Sequence, residues 1–190
     1  NSVIRNTLEF EVGHIGDYAI FENNIFDNGT GGLGFFGNFT TVNNNVFKNY
    51  ENRGGEATLT LYNSTSNTTI TNNVFHNLSR IHAIYLQTSD DNLIVNNSFT
   101  EAGGLWHTIM DRSGYRNIYR ENNFENCDRF EDGVPWYQTC IVFWYWTYPT
   151  DYYGGEHLIE NNTFNGYQSA VRFNSYQNNN TVINNEFDNG

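Results

Sequence analysis

Hydrophobic and polar positions alternate along this chain in short blocks that return at a regular spacing. The block Asn-Asn-x-Phe occurs six times, at 23–26, 44–47, 72–75, 96–99, 161–164 and 184–187, with degenerate copies at 121–124 and 5–8. The Phe anchors stand at 26, 47, 75, 99, 124, 164 and 187, so the steps are 21, 28, 24, 25, 40 and 23 residues. A repeat in the low twenties that tolerates insertions is typical of a solenoid in which each repeat forms one coil.

The best-formed copy predicts the elements of one coil. Residues 83–86 alternate as a half-buried strand does, with Ile84 and Leu86 on one face. A polar turn at 88–92 leads to a second short strand at 93–95. We expect three short strands per coil, stacked into parallel sheets along one axis. Helix is not expected, because no stretch has sustained helical periodicity and β-branched, aromatic, Asn and Gly residues dominate.

The paired asparagines suit a sharp corner that returns in every coil. Asn accepts unusual backbone angles and bonds to nearby main chain. Stacked one coil above another, Asn amides can also bond to each other, as they do in other stacked parallel sheets. The predicted ladder contains Asn24, Asn45, Asn73, Asn97, Asn122, Asn162 and Asn185, and the predicted internal column contains Phe26, Phe47, Phe75, Phe99, Phe124, Phe164 and Phe187.

The segment AIYLQTSDDNLIVNNSF, residues 83–99, resembles the right-handed parallel β-helix repeats of the pectate-lyase-like superfamily. It is similar to the short coils of carbohydrate-binding and sugar-hydrolase modules and of NosD-like periplasmic proteins. The resemblance covers almost the whole chain apart from an insertion near 128–155. It implies an all-β, right-handed parallel β-helix of about eight coils. The function stays open, because this fold hosts lyases, hydrolases, epimerases, adhesins and structural fibres.

Length and charge narrow the classes of partner. The 190 residues predict a single β-helix domain over 1–190, either a mature product or a segment of a larger protein. A net charge of −12, with Lys48 as the single lysine, argues against nucleic acid or an anionic membrane as partner. The longest apolar run, 140–146, is too short to span a bilayer, so membrane insertion is not expected.

Sequons and cysteines are typical of an exported protein. The expected glycosylation sites are Asn28, Asn38, Asn63, Asn67, Asn77 and Asn179. Asn96 and Asn161 also begin sequons, but the ladder is expected to bury them. Cys127 and Cys140 bracket the start of the insertion, and a disulfide there would stabilise the fold by roughly 3 kcal/mol on the chain-entropy model. The alternative is two small apolar residues in the wall.

The insertion concentrates three of the four tryptophans. Its aromatic residues include Trp136, Tyr137, Trp144, Trp146 and Tyr148. Such rings stack on sugars and also anchor protein interfaces. We expect a sugar or interface platform here, and the alternative is a loop that packs back on the β-helix.

Aligning neighbouring coils suggests an acid/base patch. Asp111 falls where Leu86 of the preceding coil points inward, and a buried aspartate must be paired or protonated. In the same frame His107 lies directly above His82 on an outward row. Together with Arg112 these residues could carry catalysis. The alternative, which we favour at this point, is a register slip that leaves Asp111 in a solvated turn.

No metal or cofactor is expected, with one weak exception. Asp128, Glu131 and Asp132 could hold calcium beside the insertion, although no EF-hand spacing supports this. Copper handling of the NosD-like kind is poorly supported, because Met110 is the sole methionine.

The leading functional interpretation is an extracellular, N-glycosylated structural protein that either lies at the cell surface or forms filaments, and glycans are candidate contacts. Neither end shows a capping helix, and exposed end coils offer unpaired strand edges. Such edges favour end-to-end self-association or contact with flanking domains. The alternative is a polysaccharide-active enzyme, a lyase or glycoside hydrolase, or a fragment of one. A carbohydrate-binding module is a third option.

Overall fold

The computed structural model describes residues 3–5, 12–14, 16–30, 32–51, 57–62, 65–79, 81–103, 107–127, 139–144, 154–174 and 177–188. These residues form short β-strands and no helix. No helix in this part of the chain could therefore cross a membrane. The strands are numbered in chain order and fall into three long parallel sheets, A, B and C, and one small sheet.

The chain visits the three long sheets in turn. Sheet A contains β1 (Val3–Arg5), β4 (Ile25–Asp27), β7 (Val46–Glu51), β10 (Val74–Ser79), β13 (Ser98–Ala102), β16 (Asn123–Glu125), β20 (Thr163–Asn165) and β24 (Glu186–Asp188). Sheet B contains β2 (Val12–His14), β5 (Leu33–Phe35), β8 (Ala57–Leu61), β11 (His82–Gln87), β14 (Ile109–Arg112), β17 (Thr139–Trp144) and β21 (Ser169–Phe173). Sheet C contains β3 (Ile20–Glu22), β6 (Thr41–Asn43), β9 (Thr69–Thr71), β12 (Leu93–Val95), β15 (Ile118–Arg120), β19 (Leu158–Glu160) and β23 (Thr181–Ile183). The small sheet pairs β18 (Gly154–Gly155) with β22 (Gln177–Asn178).

The prediction of a right-handed parallel β-helix is confirmed. Each strand pairs in parallel with the strand of the next coil, as Phe75 does with Phe47 on one side and Phe99 on the other. Sheet A has eight strands, and sheets B and C have seven each. Seven strands of sheet A carry the Phe anchors, whereas in β1 the residue paired with Phe26 is Ile4, so the degenerate copy predicted at 5–8 does not match this strand. The predicted strands of the best-formed coil correspond to β11 and β12.

The predicted Asn ladder is present over its whole length. In six successive steps from Asn24 to Asn185, the Nδ2 group of one coil donates to the Oδ1 atom of the next at 2.9–3.1 Å. The backbone N–H of Asn97 donates to the same Oδ1 atom of Asn122, at 3.0 Å. The preceding residue takes the left-handed conformation, with φ of 53° at Asn96. Asn tolerates this conformation better than most residues. At this corner, therefore, the first Asn takes the left-handed backbone conformation and the second Asn forms the ladder.

The predicted Phe column is present as well. Adjacent rings from Phe26 to Phe187 stack with centroids 4.8–5.2 Å apart and planes within 10°. The rings are buried from Phe26 to Phe164, whereas Phe187 of the last described coil is 50% exposed. Burial and ring stacking on this scale make the column a main source of stability.

Sheet B departs from the expected half-buried pattern. Ile84 and Leu86 point into the core as predicted, but the intervening Tyr85 is also buried. All five residues of β8 are buried too. The outer faces of β8 and β11 are therefore buried, whereas Arg112, Trp144 and Arg172 on the following strands of sheet B are half-buried.

The inserted segment contains a wall strand. The strand β17 pairs with β14 and β21 in sheet B, and so divides the segment 128–155 into two parts. The predicted disulfide is present, since Cys127 and Cys140 are bonded with Cα atoms 5.5 Å apart. Cys140 belongs to β17, so the disulfide ties the end of one coil to the wall of the next.

Candidate functional site

Two histidines lie one above the other on the outer face of sheet B, as the sequence predicted. The rings of His82 and His107 stack with centroids 5.9 Å apart and planes at 19°. The N–H groups of Ala83 and Ile84 both donate to the carbonyl of Thr108, at 2.9 and 3.2 Å. Both Ala83 and Ile84 enter the core, so the alternation of the strand shifts between them, and His82 lies on the outer face.

Aromatic and cationic side chains continue this surface. The Tyr85 ring lies 5.8 Å from the His82 ring, and the Trp144 ring lies 6.4 Å from the His107 ring. Nη1 of Arg112 donates to the Tyr85 hydroxyl at 3.1 Å. We name this surface the outer cluster, comprising His82, Tyr85, His107, Arg112, Trp144 and Arg172.

Burial keeps both imidazoles of the outer cluster neutral. Desolvation lowers the pKa of His82 from its ordinary value of 6.5 to about 4. The pKa of His107 is lowered to about 3, first by desolvation, then by the cost of protonating it together with His82, and then by the charge of Arg172. Nδ1 of His82 lies 2.8 Å from the carbonyl of His107, and a carbonyl can only accept. Nδ1 of His82 therefore carries the proton, and its Nε2 has the lone pair.

Asp111 does not join the outer cluster, which corrects the predicted acid/base patch. The register Leu86↔Asp111 is as predicted, and the side chain is completely buried inside the solenoid. The favoured alternative of a solvated turn is therefore wrong as well. His82, His107 and Arg112 lie on the opposite side of the same sheet, so the wall separates them from the carboxylate.

Three donors hold the buried carboxylate of Asp111. Oδ1 accepts the backbone N–H of Gly114 at 3.0 Å. Oδ2 accepts Nδ2 of Asn117 at 2.8 Å and the hydroxyl of Tyr119 at 2.7 Å. Burial, followed by the charge of Asp111, raises the pKa of Tyr119 well above its ordinary range, so the hydroxyl remains a donor. This arrangement satisfies a buried polar group and has a structural role.

His157 lies beside the buried carboxylate of Asp111 without forming an ion pair with it. Its Nδ1 lies 3.7 Å from Oδ2 of Asp111, and it accepts the backbone N–H of Asn117 at 3.3 Å. A nitrogen that accepts this bond carries no proton. Burial lowers the pKa of His157, although the charge of Asp111 acts in the opposite direction. His157 is therefore neutral, and hydrogen bonds alone hold the carboxylate.

A second ladder, which was not predicted from the sequence, lies at the corner between sheets B and C. The backbone N–H groups of Thr68, Asn92 and His157 donate to the Oδ1 atoms of Asn92, Asn117 and Asn180, respectively, at 2.9–3.0 Å. The signal was available, because Asn stands immediately before three of the sheet C strands.

The remaining predicted sites are only partly covered by the structure. Trp144 is half-buried in the outer cluster. Trp136, Tyr137, Trp146, Tyr148 and the proposed calcium ligands Asp128, Glu131 and Asp132 lie outside the described residues. Within the described residues, no three His, Cys, Asp or Glu side chains converge as a metal site would require.

The expected glycosylation sites vary in exposure. Asn28, Asn67 and Asn179 are exposed, Asn38 and Asn77 are half-buried, and Asn63 lies outside the described residues. Asn96 and Asn161 are exposed rather than buried, because the second Asn of each pair forms the ladder.

Comparisons with known proteins support the fold and leave the family open. No family model matches the chain, and no curated protein matches its sequence. A double mutant of the periplasmic alginate epimerase AlgG is similar over 95% of this chain and 47% of its own, with a TM-score of 0.61 and 11% identity. DFA-IIIase from Arthrobacter chlorophenolicus A6, in complex with GF2, is similar over 90% of this chain and 50% of its own, with a TM-score of 0.53 and 12% identity. The chain thus spans about half the length of these carbohydrate-active enzymes, and the likeness is one of fold.

Proposed function

We propose that this protein binds a polysaccharide along the outer face of sheet B and acts on it there. The observation that carries the proposal is the outer cluster, in which stacked neutral imidazoles adjoin two guanidinium groups and two aromatic rings. The similarity in fold between this chain and an alginate epimerase, and between this chain and DFA-IIIase, supports a carbohydrate substrate. The polysaccharide-active alternative is therefore preferred over the structural one.

The chemistry of the outer cluster favours proton transfer over hydrolysis. Neutral imidazoles can accept a proton, and the outer cluster contains two of them stacked on each other. Arg112 and Arg172 offer donors that suit a carboxylate or the hydroxyls of a sugar. Glycoside hydrolysis normally uses two carboxyl groups, and the outer cluster has none among its six members. Elimination or epimerisation of a uronate-containing polymer suits these residues better.

The test is an activity screen against alginate, other uronate polymers and neutral polysaccharides. Unsaturated ends, changed sugar epimers and new reducing ends would be followed by absorbance, NMR and a reducing-sugar assay. We expect activity on a uronate polymer and its loss in His82→Gln and Arg112→Gln. His76→Gln is the matched control, because His76 is exposed on sheet A. An absence of activity on every polysaccharide tested, or full activity in His82→Gln, would overturn the proposal.

Export from the cytoplasm is part of the same proposal. A disulfide between Cys127 and Cys140 suits an oxidising compartment. The periplasmic location of AlgG agrees with this. Extracellular or cell-surface location and N-glycosylation remain proposals, to be tested by mass spectrometry of the protein purified from its own source.

End-to-end self-association is a second candidate function. Val182, Ile183 and Phe187 are each 45–50% exposed on the last described coil. Either an identical coil of another copy or a flanking domain could cover these side chains and pair with the strands that bear them. Sedimentation at high concentration tests this, and assemblies should weaken in Val182→Thr with Phe187→Ser. A strict monomer would exclude it.

A further inference from the structure

We infer a separate glycan-binding site on the first coils, at the corner between sheets B and C, where sugar rings stack on exposed aromatic side chains. This site is independent of the chemistry proposed for the outer cluster. Its four aromatic residues are Tyr18, Phe36, Phe39 and Tyr62, and we name them the aromatic corner. The ligand class is a neutral polysaccharide.

The corner shows an unusual choice of residues. One position in each coil has a left-handed backbone there, with φ between 54° and 63°. Polar residues occupy it in the later coils: Asn67, Asp91, Arg116, Glu156 and Asn179. Tyr18 and Phe39 occupy it in the first two coils, with φ of 63° and 57°. A bulky side chain is a genuine outlier in this conformation, whereas Asn tolerates it.

The stability of the fold alone does not explain why Tyr18 and Phe39 occupy this position. The left-handed conformation costs roughly 1–2 kcal/mol for a residue of this kind. Tyr18 and Phe39 stack with centroids 5.1 Å apart and planes at 9°, and such a pair contributes about 0.5–1.5 kcal/mol. Yet Tyr18 remains 71% exposed and Phe39 47% exposed, so little apolar area is buried in return. Residues that break a local rule without a gain in stability are candidates for function.

A second stack lies on the same turn. Phe36 and Tyr62 have centroids 4.4 Å apart and planes at 8°, and Phe36 is 45% exposed. Glycine makes this possible, since a Cβ atom on Gly34 would lie 2.6 Å from Cε2 of Tyr62. A Cβ atom on Gly37 would lie 1.7 Å from the carbonyl oxygen of Gly16, so the first two corners also meet backbone to backbone. The rings are therefore held in place before a ligand arrives, which lowers the entropic cost of binding.

The neighbouring polar groups favour a sugar over a protein or an anion. A sugar ring has C–H groups on its faces and hydroxyls at its rim, so it needs flat apolar surface next to polar groups. Asp17 adjoins Tyr18 and is exposed, and Asn38 adjoins Phe39. The Asp17 carboxylate can accept hydroxyl hydrogens from a sugar and repels anionic polymers, and its Oδ1 is held by the N–H of Asn38, which donates to it at 2.7 Å.

Affinity electrophoresis in gels containing a soluble β-glucan, a galactomannan or inulin tests the inference, with alginate as the anionic comparison. We expect at least one neutral polymer to retard the protein, and Tyr18→Asn with Phe39→Asn to weaken that binding at least tenfold. The double variant should melt no lower than the wild type, because Asn suits this backbone. Ile20→Thr is the matched control: Ile20 is 69% exposed nearby, and Thr41 stands at its position in the next coil.

Three results would overturn the inference. One is the absence of retardation by every neutral polymer. Another is equal binding by the wild type and the double variant, or an equal loss in Ile20→Thr. The third is a change in sedimentation of the double variant without a change in polymer binding, which would make the aromatic corner a contact between copies of the protein.

Discussion

The hydroxyl of Tyr119 donates to Oδ2 of Asp111 across 2.7 Å in the completely buried interior of the solenoid. In the adjoining coils the position of Asp111 holds Leu86 on one side and Phe143 on the other. A charge thus stands in an otherwise apolar column and depends on its hydrogen bonds. Removal of a hydrogen-bond donor from such a buried charge strongly destabilises the folded protein.

We therefore expect Tyr119→Phe to lower the free energy of unfolding by about 1–3 kcal/mol, the cost of removing one bond to a buried charge. Urea denaturation would measure the loss. Tyr167→Phe is the control, because the half-buried Tyr167 packs edge-on against Phe164, and its change should stay within about 0.5 kcal/mol. Equal stability of the two variants would mean that the Tyr119 hydroxyl does not support the carboxylate.

The Phe column gives a second prediction. Phe99→Ala should cost about 3–5 kcal/mol, because it opens a cavity between two stacked rings at a fully buried position. Phe187→Ala should cost clearly less, since its ring is half exposed and touches one neighbour of the column. Similar costs for both variants in thermal and urea unfolding would contradict the proposed packing.

The two neighbouring asparagines of each motif should differ in their contribution to stability, because the second one forms the ladder. Asn97→Ala removes bonds to Asn73, Asn122 and two backbone carbonyls, so we expect a loss of several kcal/mol, on the order of 1–3 for each buried group left unpaired. Asn96→Gly at the exposed neighbour keeps the left-handed backbone and should have a small effect. Differential scanning calorimetry of the two variants tests this contrast, and the reverse order would exclude a buried ladder.

Stability should fall in mild acid. His82 and His107 are neutral in the folded protein, with pKa values of about 4 and 3, but take up protons with an ordinary pKa of 6.5 once unfolded. Between pH 6.5 and about 4 the unfolded chain binds more protons, so the free energy of unfolding decreases as the pH falls. Melting temperatures across this range should show a shallower decline in His82→Gln than in the wild type. His76→Gln, at an exposed site, should leave the slope unchanged.

The repeat carries most of the information about the fold. Asn97 and Phe99 belong to a motif whose spacing alone places them in the ladder and the column. The inward position of Asp111 also follows from alignment with Leu86. The sequence does not show that Gly114, Asn117 and Tyr119 supply donors at that point, since these come from a turn and a strand of sheet C. A solvated turn therefore looked more favourable than a buried charge.

The functional surfaces were harder to predict for two reasons. The alignment of coils places His107 above His82, but it does not show that Ala83 and Ile84 both enter the core or that Tyr85 and Trp144 lie beside the two histidine rings. The aromatic corner had a weak signal, because Gly-Asp-Tyr at 16–18 and Gly-Asn-Phe at 37–39 are 21 residues apart. Only the backbone angles show that the aromatic residues stand where later coils have polar ones.

The ladder from Asn24 to Asn185 has a consequence for how such a protein grows. Every step of the ladder has the same geometry, whether 21 or 40 residues separate its two asparagines. All variation in length is therefore confined to segments outside the ladder. Unequal recombination between any two copies of the motif would delete or duplicate a whole coil and leave every remaining junction intact. The gene can lengthen or shorten its rod in units of one coil, and each new loop is free to diverge.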